Sequence, residues 1–228
     1  YMLDLFAGCL DAGVTTFDSG PNYVDGNAER WLGKWMESRG NRDDVVILTK
    51  GGHHNQDRKR VTSFDVASDL LDSLARLRTD HIDIYLLHRD DPSLPVEPII
   101  DALNEHKEAG RIRVFGASNW TAARIAEANA YAEDNDLSSF VISSPNFSLA
   151  VEAEPPWPDC VSISGDECLS EREWYAQQAM PLFLWSGMAQ GFFSGRFNRE
   201  SFEAYSDQIP EGCVRAYCHD ANFDRLDR

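Results

Sequence analysis

Six short apolar runs, residues 14–18, 45–50, 82–88, 112–118, 140–144 and 181–186, are the feature that most restricts what this chain can become. They recur at intervals of roughly thirty to forty residues, a spacing that leaves room for one helix in each gap. None shows strict in/out alternation, which is the pattern of strands covered on both faces. The gaps have helical period. Residues 28–38 set Trp31, Leu32, Trp35 and Met36 on one side, and 63–78, with Ser63 as its expected cap, stripe Val66, Leu70, Leu74 and Leu77. Residues 97–109 stop before Gly110, and 122–134 follow a Thr121 cap with a small-residue face. A repeated β-then-α order leaves an open doubly wound sheet or a closed (β/α)8 barrel.

The polar residues choose between the two. Asp18, Lys50 and His88 each close an apolar run, and Tyr23 lies five residues beyond Asp18. In a barrel, chemistry gathers at the carboxyl ends of several strands. An open sheet would more often place a glycine-rich phosphate loop after its first strand, and no G-x-G-x-x-G occurs. The expectation is an α/β chain, residues 1–228 forming a single partial barrel domain with about six strands. It opens on Tyr1 inside a helical pattern (Leu3, Phe6, Ala7, Leu10) and ends on Leu226-Asp227-Arg228 without a stop signal, as a piece of something longer would. The longest irregular stretch, 149–168, holds Pro155-Pro156-Trp157-Pro158 and is expected to form a wall of a substrate pocket.

Composition narrows the partners. With 38 acidic against 21 basic residues, the formal charge of −17 would repel nucleic-acid phosphates. No run approaches the ~20 apolar residues of a membrane span, and the first residues lack the charged-then-apolar pattern, so a secretory leader is not expected. The five cysteines (Cys9, Cys160, Cys168, Cys213, Cys218) lack a C-x-x-C pair, so neither a disulfide framework nor a zinc site is expected, and a reducing cytoplasm suits them.

An acid, a phenol, an amine and an imidazole brought together have a chemical use. Reducing a carbonyl needs a hydride on carbon and a proton on oxygen. A free tyrosine titrates near 10, and a cation beside its oxygen favours the phenolate. Lys50 is placed to be that cation, Asp18 to hold the ammonium, and His88 to orient the substrate oxygen. Taken singly, each has a structural reading: a turn residue, a solvent-reaching lysine, a core histidine, a loop aromatic. The joint pattern favours chemistry.

The chain resembles the aldo-keto reductase superfamily in its bacterial and archaeal form. Residues 16–23 (TFDSGPNY) with Asn27-Ala28-Glu29-Arg30-Trp31-Leu32-Gly33 resemble its aspartate–tyrosine signature. Residues 47–50 (ILTK) resemble its lysine strand, 80–88 (DHIDIYLLH) its histidine strand, and 110–119 (GRIRVFGASN) its next strand. The resemblance implies a (β/α)8 barrel using NADPH, or NADH, on a small-molecule carbonyl substrate. It implies Tyr23 as general acid, with Lys50, Asp18 and His88 as its partners. Ser118 and Asn119 would bind the nicotinamide carboxamide, Phe147 would stack on the ring, and Trp185, Ser186, Gly187, Met188 and Gly191 would wrap the pyrophosphate. Ser144 stands where the family usually has a glutamine, and a bridging water would have to make up the difference in length. By the same pattern, the first strand and the last strand and helices of the barrel are expected to lie outside the chain. Two other classes stay in view: a non-catalytic, cofactor-binding regulatory subunit of this fold, and a Schiff-base lyase using Lys50.

Overall fold

The computed structural model describes residues 1–228, apart from the side chain of Tyr205. The chain packs as two compact units, Tyr1–Ser118 with Ala123–Val141, and Asn119–Ala122 with Ile142–Arg228.

The first unit alternates helix and strand: α1 (Met2–Asp11), β1 (Thr16–Asp18), α2 (Asn27–Arg39), β2 (Val46–Gly51), α3 (Ser63–Leu77), β3 (Ile82–Leu87), α4 (Glu97–Glu108), β4 (Ile112–Ser118) and α5 (Ala122–Asp134). The strands pair in parallel, β1 with β2, β2 with β3 and β3 with β4. Ile47, Leu48, Tyr85, Leu86 and Leu87 are buried to the last side chain, as the lack of alternation requires. Parallel register aligns the strand ends: Asp18 pairs with Leu48, and Lys50 with Leu86. The polar residues that follow each apolar run therefore emerge at one edge.

Two local features tighten this packing. Helix α3 starts on a capping box in which Thr62, not Ser63, is the cap: its hydroxyl accepts the Asp65 N–H while Asp65 reaches back to the Thr62 N–H. Ser63 instead donates to the Pro98 carbonyl at 2.8 Å. Gly33 lets α2 lie directly on the end of α3, since a Cβ there would sit 2.5 Å from the Arg76 carbonyl oxygen.

The second unit is less regular. It holds β5 (Ser143–Ser144), α6 (Leu169–Gln177), α7 (Phe202–Tyr205), α8 (Glu211–Tyr217) and α9 (Asp220–Leu226), joined by 3-10 turns. The strand expected at 181–186 is absent: Leu182 and Trp185 make single parallel bridges to Ser143 and Asn146. Pro145 lies between those bridges and has no N–H to give, which interrupts the ladder. Phe192, Phe197, Phe223, Tyr217 and Cys213 form this unit's own apolar core.

Candidate active site

Lys50 is the centre of the arrangement. Only 3% exposed at the end of β2, its Nζ donates to Asp18 Oδ1, to the Ser19 carbonyl at 2.9 Å and to Tyr23 Oη at 3.1 Å. An ammonium has three protons and no lone pair, so those three acceptors satisfy it. With the lysine donating to its oxygen, the Tyr23 phenol must aim its own proton elsewhere. Asp18 is half-exposed and carries the opposing charge. The His88 ring lies edge-on to Tyr23, with centroids 6.0 Å apart, and its backbone N–H donates to the Gly51 carbonyl at 2.7 Å. Burial, followed by the charges of Lys50 and Arg89, drives the His88 pKa down to about 2. The imidazole is neutral at physiological pH. All four residues of the sequence-derived tetrad thus meet in the first unit.

Buried ionic contacts hold β2 in place beneath them. Glu29, wholly buried in α2, accepts from Thr49 Oγ1 at 2.6 Å and from Arg76 Nε at 2.5 Å. Asp83 accepts the Ile47 N–H at 2.8 Å and Arg42 Nη2 at 2.7 Å. Asp69 accepts the Gly52 N–H at 2.9 Å and Arg60 Nη2 at 2.5 Å. Removing one partner of such a pair would strand the other charge. The sequence reading gave none of these carboxylates a structural role, because apolar periodicity reports only the faces that exclude water.

Two further residues at this edge went unread. His53 lies edge-on to His88, with centroids 4.8 Å apart, and packs at a tilt against His54, with centroids 4.4 Å apart. They follow Gly51-Gly52 at the end of the lysine strand. The strand-end logic that selected Lys50 would have reached them had it been carried four residues further.

The residues expected around a dinucleotide fall mostly in the second unit. Ser118 closes β4 in the first unit and is buried. Asn119 takes a left-handed backbone, φ 60°, and its Oδ1 accepts the Val161 N–H at 3.2 Å. Ser144 is buried on β5. The Phe147 N–H donates to the Trp185 carbonyl, and Ser148 Oγ donates to the Gly187 carbonyl at 3.1 Å, which seats the aromatic beside the turn. Along that turn Ser186, Ala189, Gln190 and Gly191 all have positive φ, and Met188 is exposed. Ala189, Gln190 and Gly191 follow one another in the left-handed region, and the Ala189 and Gly191 N–H groups donate to the Ser186 and Met188 carbonyls, which closes the turn on itself. Trp185 Nε1 and Gln190 Nε2 are buried without a hydrogen-bond partner among the described residues, and a Cβ on Gly187 would meet only the Phe147 carbonyl, at 3.9 Å. The two idle side-chain donors and the open face of Gly187 fit a pyrophosphate. In the 149–168 stretch, Trp157 packs against Trp185 at 5.9 Å and Ala153 bonds the Ala216 carbonyl, so the segment is tied down beside this turn.

The aldo/keto reductase family model matches residues 1–214, and the chain belongs to that family. A rice protein named "Probable voltage-gated potassium channel subunit beta" is 31% identical over 207 residues, covering 89% of this chain and 59% of its own length. Aldo-keto reductase YhdN of Bacillus subtilis is 34% identical over 122 residues, 52% of this chain and 37% of its own. Norsolorinic acid reductase B of Aspergillus parasiticus is 33% identical over 141 residues, 57% and 36% respectively. The chain therefore spans about three-fifths or less of these relatives. A solved structure described as "a putative 2,5-diketo-D-gluconic acid reductase B" superposes with TM-score 0.63 at 23% identity, covering 83% of this chain and 58% of that one. The shared fold is α/β, with parallel strands that accord with part of a (β/α)8 barrel. Among the described residues no helix is long and apolar enough to cross a membrane.

Proposed function

We propose that this chain carries the catalytic centre of an NADPH- or NADH-dependent reductase that converts aldehydes or ketones to alcohols. The observation behind the proposal is the single ammonium shared by Asp18 and Tyr23, with a neutral imidazole beside the phenol. The bound nicotinamide would supply the hydride. Tyr23 Oη gives its proton to the substrate oxygen as the alkoxide forms, and the phenolate left behind faces Lys50 Nζ at hydrogen-bond distance. Asp18 anchors the ammonium. His88 stays uncharged and directs an imidazole N–H at the carbonyl oxygen. Asn119, Ser144 and Phe147 would hold the nicotinamide end, together with Ser118, and Trp185, Ser186, Gly187, Met188 and Gly191 the pyrophosphate. A (β/α)8 barrel is the architecture in which such a site would sit, and the cytoplasm its compartment.

The rice relative's printed name favours a second reading, a cofactor-binding regulatory subunit that keeps the same residues. The lyase reading loses ground, because an ammonium held by a carboxylate and two further acceptors is a poor nucleophile. One experiment separates the three. Turnover of an aromatic aldehyde with NADPH supports the reductase. Cofactor binding without turnover would favour the regulatory subunit, and borohydride trapping of substrate on Lys50 the lyase.

A further inference from the structure

His53 has no part in the proton transfer, yet it stands against the imidazole that would orient the carbonyl. Its ring centroid is 4.8 Å from that of His88, at an interplanar angle of 77°. Its Nδ1 lies 2.8 Å from the His54 carbonyl oxygen. A carbonyl can only accept, so Nδ1 must carry the proton. That bond fixes the tautomer and leaves Nε2 as a lone pair. Burial, together with the charge of Arg89, lowers the His53 pKa, which keeps that lone pair unprotonated at neutral pH. Among the described residues Nε2 makes no hydrogen bond. The edge thus presents two neutral rings side by side, His88 to donate and His53 to accept.

A plain aldehyde offers nothing to an acceptor at that position. A carbonyl with a hydroxyl on the neighbouring carbon does: its two oxygens are close enough to engage adjacent imidazoles, one accepting from His88 and the other donating to His53. A carboxylate in the same place would face the Nε2 lone pair and be repelled. We propose that His53 is a specificity-determining residue whose Nε2 accepts a hydrogen bond from an α-hydroxyl, so that the site prefers 2-hydroxy aldehydes and ketones to their deoxy or carboxylate counterparts. The proposal rests on the reductase reading above and names the substrate class of the same site.

The test compares lactaldehyde with propanal, which differ by one hydroxyl, and with glyoxylate, using the full chain. The wild type should show kcat/KM about 10-fold higher for lactaldehyde than for propanal, the scale of one net hydrogen bond to the substrate. In His53→Phe, which keeps an aromatic ring but no acceptor, the ratio should fall to about one, and His53→Gln, whose amide oxygen can accept, should restore part of it. A ratio unchanged in His53→Phe, or a wild-type preference for propanal or glyoxylate, would overturn the proposal. If no substrate is turned over, the reductase reading is what has failed, and nitrogen-15 spectra of the histidines then decide the inference. Lactaldehyde should shift the His53 Nε2 resonance and propanal should not, whereas no shift with either would end it.

Discussion

The two units place side chains by different means. In the first, parallel register sets the strand ends level, and Asp18, Lys50 and His88 emerge where a ladder of backbone hydrogen bonds stops. In the second, the ladder fails at Pro145 and one side chain takes over. Asn146 is wholly buried: its Nδ2 donates to the Trp185 carbonyl and to Tyr217 Oη, each at 3.3 Å, while its Oδ1 accepts from Ser162 and Ser164. The contrast shows how each placement would fail. A strand end is held redundantly by many bonds, whereas three segments of the second unit converge on a single amide.

The largest stability effect is expected where the ordered unit depends on one buried charge. Glu29→Ala takes away the buried partner of Arg76, leaving it only the exposed Asp72 carboxylate at 3.7 Å, and frees Thr49, and should cost about 4 kcal/mol in denaturant unfolding. A loss under ~1 kcal/mol would mean that β2 is held without that network. Asn146→Ala should cost somewhat less, about 3 kcal/mol, and its signature is spatial. Hydrogen exchange should accelerate around 146–148, 161–164 and 185–191, while β2 and β3 stay protected. Uniform acceleration through both units would break the comparison.

Counted per pH unit, the smallest effect is on pH dependence. His88 titrates near 6.5 when unfolded and near 2 when folded. Between those values the unfolded chain binds the extra proton, so this contribution to stability is complete above about 6.5 and is lost as the pH falls toward 2. His88→Asn should flatten the fall in stability on acidification by up to ~1.4 kcal/mol per pH unit. An unchanged slope would show that His88 is not held neutral by burial.

The same contrast explains what could be read from the residues alone. The strands β2, β3 and β4 are near-continuous apolar runs, and their spacing, direction and polar ends follow from burial on both faces. The meeting of Asp18, Lys50 and His88 at one edge was legible for that reason. The segment 181–186 looked like the other runs, but apolar content cannot reveal that a neighbouring proline removes the N–H a ladder needs. The Ser63 cap was misplaced by one residue because Thr62 and Ser63 are both competent, and only the reach of Asp65 distinguishes them. Asn146 and Glu29 were invisible as hubs: a lone polar residue gives no sign of how many partners will converge on it. His53 was within reach, since it lies just past the lysine strand, but its significance depends on the tautomer that His54 imposes.

The reductase account turns on Tyr23 as proton donor, and single-turnover hydride transfer in Tyr23→Phe measures that most directly. With NADPH bound, the variant should transfer hydride to an aldehyde ~1,000-fold more slowly than wild type, within the range general acid catalysis supplies, while its NADPH dissociation constant stays within about twofold. Hydride transfer at the wild-type rate in Tyr23→Phe would contradict the account, because the proton would then have come from another group.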